Sequence, residues 1–238
     1  MKSAKIKVLE KNMFYFIILF LEVGILFFLS RKMSKALSFL MSIDFMSFLL
    51  LPGVVIHELS HLFASVALFV PVGNMEFTPK KSGNGLKLGS IEIAKTDPIR
   101  RSIIGFAPVF LGLLLVIGIV YFFSVNILFF KDKSYYVVLG SVLGIAYLLF
   151  AISNTMFSSS RDMEGTAEIL ITLLIIFILS YILGFRIPVS FVENLLTESV
   201  LEMIQKSAIF LTVPIAIDLF ILGIIKMFTG SRRRFVRL

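Results

Sequence analysis

From Ser102 to Phe130 the chain carries no charged side chain, and a stretch of that kind restricts the solvent in which it can fold. A hydrocarbon layer about 30 Å thick is crossed by about 20 helical residues at about 1.5 Å each. Similar apolar runs recur along the sequence. With 58% hydrophobic residues in 238, the chain has more apolar surface than one soluble domain of that length buries, so lipid must cover much of it. The expectation is an all-α polytopic membrane protein forming a single transmembrane domain over residues 1–238. Six spans are predicted, over about 13–30, 45–70, 103–129, 136–156, 167–184 and 207–228. The run 36–70 is longer than a bilayer needs; either Pro52-Gly53 kinks it, or residues 33–44 lie in the interface. The basic, apolar start has no A-x-A-like site after it and is interrupted by Glu22, which favours a first span over a cleaved signal.

Charge then suggests a direction. If six spans alternate, sixteen of the 23 lysines and arginines fall on one side, and the positive-inside rule puts both termini in the cytoplasm, most simply at the cell membrane. The net charge of +8 and the tail "SRRRF" then suit anionic lipid headgroups, with no nucleic-acid partner implied. Between the second and third spans, "NMEFTPKKSGNGLKLGSIEIAK" alternates like two strands around a Gly/Asn turn and predicts a small cytoplasmic β-hairpin. "SFVENLLTESVLEMIQK" has the spacing of an interfacial helix. There is no cysteine, so disulfide and thiolate chemistry are excluded, and a metal would need His, Asp or Glu ligands.

Both histidines of the chain lie in the second predicted span, in His57-Glu58-Leu59-Ser60-His61. On a helix, residues four apart lie on one face, so the two imidazoles can address one point. Zinc accepts two such nitrogens, and a catalytic site adds one further protein ligand and leaves a position for water. Glu58 is placed beside the first imidazole to take a proton from that water. The alternative is two histidines acting as polar glue between helices. Ionisable groups at that depth are costly, which favours a functional site.

For the third ligand, Asp44 is thirteen residues before His57, about 20 Å along the axis, and does not converge. Glu22 and Asp218 are single acids in the first and last spans, read as hydrogen-bonded within the bundle. The stretch "AISNTMFSSSRDMEGTAEIL", residues 151–170, offers Asp162 and Glu164 where the fourth span dissolves into polar residues.

Taken together, an HExxH in an apolar helix, a following β-hairpin, a Gly/Pro-containing start to the next span ("GFAPVFLG"), and an Asn followed eight residues on by Asp resemble the site-2 protease family of intramembrane zinc metalloproteases. The resemblance covers roughly residues 45–165. It implies one zinc ion per chain held by His57, His61 and Asp162, with Glu58 as general base and Asn154 contributing to the active site. Glu164 is the neighbouring alternative to Asp162. Phe157 stands where the family pattern has Pro, Arg161 where it has Leu, and Gly165 comes two residues late. The short "KDKS" link implies a compact member without an inserted PDZ domain. The implied activity is zinc metalloendopeptidase hydrolysis of peptide bonds in or near transmembrane segments, with a membrane-anchored protein as substrate and the bilayer as partner. Other readings are a different membrane zincin using Glu164 or Glu168, an inactive zinc-binding scaffold, and a transporter with Glu22, Asp44 and Asp218 as a polar path.

Overall fold

The computed structural model describes residues 2–76, 80–82, 85–87, 89–131, 133–157, 172, 175–176, 178–180, 182–184 and 197–229. Among these, five helices are long and apolar enough to cross a membrane. They are α1 (Lys2–Leu40), α2 (Ile43–Ala67), α3 (Pro98–Val125), α4 (Tyr135–Thr155) and α5 (Glu198–Thr229). The predicted fifth span, 167–184, falls largely outside the described residues.

The long run 36–70 is divided at residues 41–42. Helix α1 continues to Leu40, and Ser42 then takes an extended conformation and caps α2, its hydroxyl accepting from Phe45 N at 3.4 Å. Asp44 follows in the first turn, where a negative charge suits the helix dipole. At the other end, Val70 N–H bonds back to Ser65 O at 2.8 Å while Phe69 adopts φ 56°, a left-handed helix stop that glycine usually supplies. This turn sends the chain into β1.

The expected hairpin is present as two short antiparallel ladders. Strand β1 (Val72–Glu76) pairs with β4 (Ser90–Ile93), with a shift of register between Val72 and Met75, and β2 (Lys80–Ser82) pairs with β3 (Gly85–Lys87). Asp97 then caps α3 and Pro98 opens it, where the missing N–H has no cost.

Polar and apolar residues are distributed as a lipid solvent requires. Phe20, Phe28, Phe48 and Phe122 face outward, whereas Glu22, Asn154 and Asp218 are buried. One apolar cluster joins Leu26 of α1, Val109 and Val116 of α3, Leu149 and Ile152 of α4 and Leu211 of α5. A second joins Met33 and Leu37 to Met46, Leu50 and Val54 of α2 and Phe150 of α4.

Two expectations change. The predicted interfacial helix is not separate: from Glu198 its residues form the first turns of α5, because their apolar periodicity runs on without a cap into the last span. Helices α1 and α5 also run in the same direction. Gln205 donates to Tyr15 Oη at 3.3 Å, Leu26 and Leu211 share one cluster, and Ile221 and Ile225 pack with Met33 and Leu37 in the other. Two parallel spans place Lys2 and Thr229 at opposite ends of the pair, where six alternating spans would have made the first and last antiparallel. Charge counting assigns sides only after the number of crossings is fixed, and six alternating spans had fixed it.

Candidate functional site

Helix α2 is packed between α3 and α4 and carries the histidine motif at the depth where its neighbours enclose it. His57, Glu58 and His61 are 5%, 5% and 4% exposed, which a charged or polar trio tolerates only when its polar atoms are engaged. The two rings are nearly perpendicular, at 84° with centroids 4.9 Å apart, and their Nε2 atoms face one another at 3.3 Å. Two nitrogens each about 2.0–2.1 Å from a tetrahedral ion stand about 3.3–3.4 Å apart. The observed spacing fits that geometry. It equals a hydrogen bond between the rings when one Nε2 carries a proton, so the ion is distinguished by measurement of bound metal.

A contact from α3 sets the chemistry of His61. Its Nδ1 lies 2.8 Å from the carbonyl oxygen of Ile104. A carbonyl only accepts, so Nδ1 carries the hydrogen, and a neutral ring then turns a bare lone pair on Nε2 toward His57. Metal-binding imidazoles are oriented in this way by a partner on the far nitrogen.

Glu58 follows His57 in sequence and shares a face with Val54 one turn earlier. Its wall is supplied by the hairpin. A Cβ placed on Gly89, the residue before β4, would stand 2.8 Å from Glu58 Oε1, 3.0 Å from Glu58 Cγ and 2.9 Å from Val54 Cγ1. Gly89 is buried; the lack of a side chain lets the strand base lie directly on the glutamate.

Helix α4 approaches from the other side by the same device. A Cβ on Gly53 would overlap the carbonyl of Ala151 and the hydroxyl of Thr155, and one on Gly112 of α3 would lie 2.8 Å from Met156 Cβ. The last turn of α4 is thus seated between two glycines, one helical turn from His57. Asn154, on that turn, donates from Nδ2 to Phe150 O at 2.9 Å and to Asp218 Oδ1 at 2.7 Å. Phe157 is 3% exposed and meets Phe27 of α1 edge-on at 5.6 Å, so an aromatic contact secures the end of α4 there.

The structure therefore brings together His57 and His61, buries Glu58 against the base of the hairpin at Gly89, and places Asn154 on the turn of α4 that meets Gly53. Asp162 and Glu164, the two candidates for third ligand, lie outside the described residues, as does Glu168. Among the described residues no group of three or more His, Cys, Asp or Glu side chains is assembled. Asp218 hydrogen-bonds within the bundle as expected of it, though to a side chain rather than to backbone or water. Glu22 is buried in α1, and Asp44 is exposed at the start of α2. The Ile104 carbonyl was not legible in sequence, because a backbone oxygen leaves no residue signature. Gly89 had a weak signal, a glycine directly before a strand. Comparison with family models, with curated proteins and with solved structures found no match.

Proposed function

We propose that this multi-pass membrane protein is an intramembrane zinc metalloendopeptidase that hydrolyses peptide bonds in or near transmembrane segments of other proteins. The observation that carries the reading is the pair of buried imidazoles with Nε2 atoms 3.3 Å apart, one fixed by a backbone carbonyl, with a buried glutamate, Glu58, next to His57 in sequence. His57 and His61 would hold the ion, with a carboxylate from residues 158–170 as third ligand, Asp162 first by the family resemblance. A bound zinc ion supplies the Lewis acidity that the scissile carbonyl and an attacking water require.

The chain's own groups do the remaining work. Glu58 takes a proton from the attacking water and delivers it to the departing amine, as a carboxylate adjacent to the reacting atoms can. Ile104 keeps His61 in the tautomer whose Nε2 carries the lone pair that binds a metal. Burial by α3, α4 and the hairpin base limits bulk water and strengthens each polar contact. An intact substrate helix hides its carbonyls in i to i−4 bonds, so the cleaved segment must be unwound, and the β1–β4 ladder offers backbone to which an extended segment can add.

Purified full-length protein should contain one zinc per chain by elemental analysis. Wild type should cleave members of a panel of membrane peptides that Glu58→Gln, with unchanged zinc, leaves intact. Zinc without Glu58-dependent cleavage would indicate a scaffold; wild type without zinc would leave the two rings as a structural hydrogen bond.

A further inference from the structure

Asn154 and Asp218 are 2% and 0% exposed and come from helices 64 residues apart in sequence. The atom of Asn154 that faces Phe150 O must be its nitrogen, since the carbonyl only accepts. The same nitrogen meets Asp218 Oδ1 at 2.7 Å, a short hydrogen bond. Both amide hydrogens are then engaged, and the side chain has only Oδ1 left to present. That oxygen is buried and has no hydrogen-bond partner among the described residues, and the same holds for Asp218 Oδ2. A buried acceptor with no donor is unfavourable, so a donor brought to either oxygen would be held there.

The position limits what that group is. Asn154 lies on the turn of α4 that crosses α2 at Gly53, four residues before His57. A substrate segment unwound for cleavage exposes backbone N–H groups that have lost their i−4 carbonyls, and at membrane depth these need an acceptor from the protein.

We propose that Asp218 is a positioning residue for this reaction: by accepting from Nδ2 it holds the Asn154 carboxamide with Oδ1 turned to receive a backbone N–H of the extended substrate. The inference rests on the proteolytic reading above. It assigns α5 a part in substrate alignment that the histidine motif does not supply. Without the carboxylate, the amide is free to rotate and to offer its N–H groups, which a peptide N–H repels.

The test uses the full chain, zinc-loaded, with one membrane peptide that wild type cleaves. Asp218→Ala should lower kcat by about tenfold to a hundredfold, the range expected when an aligned substrate loses its geometry, with zinc content unchanged. Asp218→Asn, which keeps an acceptor oxygen toward Nδ2, should restore kcat to within about threefold of wild type. Asn154→Ala should match Asp218→Ala, and the double variant should be no worse than either, because the two residues act as one unit. Thermal unfolding of the four proteins should show the same coupling without reference to activity. Should Asp218→Ala fail to fold, Asn154→Ala and Asp218→Asn still carry the opposite predictions of loss and retention. Wild-type kcat in Asp218→Ala, additive losses in the double variant, or loss of zinc on removing Asp218 would each overturn the inference while leaving the protease reading in place. Wild type that cleaves nothing would overturn both.

Discussion

Replacing Gly89 with alanine tests whether the hairpin base sets the position of Glu58. The new Cβ would stand 2.8 Å from Glu58 Oε1 and 2.9 Å from Val54 Cγ1. Non-bonded carbons rest at about 3.5–4.0 Å, so about 0.6 Å or more must be given up by one of the partners. Val54 is 4% exposed and stiff at χ1, and the strand is tied to β1 through Ser90 and Glu76. The Glu58 side chain is the softest of the three and moves first. A misplacement of about 1 Å at a reacting group costs about a hundredfold. The expected fall in kcat is therefore about tenfold to a hundredfold, or about 1.4–2.7 kcal/mol in the barrier. The assay is turnover of a membrane peptide at saturation, with zinc measured on the same sample. Zinc should be unchanged, because the atoms nearest the added carbon belong to Glu58 and Val54 rather than to an imidazole. Gly73→Ala is the control: its Cβ would meet Glu92 Oε2 at 2.9 Å, but that carboxylate is exposed and swings into water without consequence. Full turnover in Gly89→Ala, or a fall equal to that of Gly73→Ala, would refute the reasoning.

Other outcomes follow from the same geometry. His57→Ala and His61→Ala should each reduce zinc from one per chain to none by elemental analysis, since a catalytic ion depends on three protein ligands. Asp162→Ala should likewise lose zinc while Glu164→Ala retains it; the reverse result would move the third ligand to Glu164. Gly53→Ala should lower the unfolding temperature in detergent, by an overpacking cost of about 1–3 kcal/mol, because the added carbon meets the Ala151 carbonyl, backbone that cannot swing aside. Asp97 is held below the ordinary carboxylate value by the Arg100 N–H it accepts and then by the Arg100 charge. A depressed folded pKa gives support that is complete above the unfolded value of about 3.9 and is lost as pH falls through the lower folded value. Exchange protection of Arg100 N–H should thus persist at pH 5 and decline below about 4, and Asp97→Asn should remove that pH dependence.

The parts of this protein that were legible in sequence are those governed by local periodicity. His57 and His61 share a face because the helix repeat is 3.6 residues, and the hairpin follows from alternation around Gly83-Asn84-Gly85. The direction of α5 was not legible. It depends on how the chain passes from α4 to Glu198, and counting lysines and arginines presupposes that answer. The pairing of Asn154 with Asp218 was equally hidden: both residues were visible as polar groups in apolar runs, but a bond between positions 64 apart is a property of packing. The boundary between α1 and α2 was ambiguous because Met41 and Ser42 sit in an apolar run, and only the cap at Ser42 shows where one helix stops.

What holds the candidate site together is a set of positions where a side chain is missing. Gly53 admits α4 to α2, Gly112 admits the same turn of α4 to α3, and Gly89 admits the hairpin to Glu58. In lipid, apolar burial adds little to helix association, so close backbone approach carries more of the packing than it does in water. That seats the last turn of α4 against Gly53 and Gly112. From Thr155 the chain needs only seven residues to reach Asp162, a span of up to about 25 Å when extended, which is ample to return a carboxylate to imidazoles one helical turn from Gly53. If the third ligand comes from the chain that follows α4, a protein with its two imidazoles intact but α4 displaced at Gly53 should lose metal and turnover together.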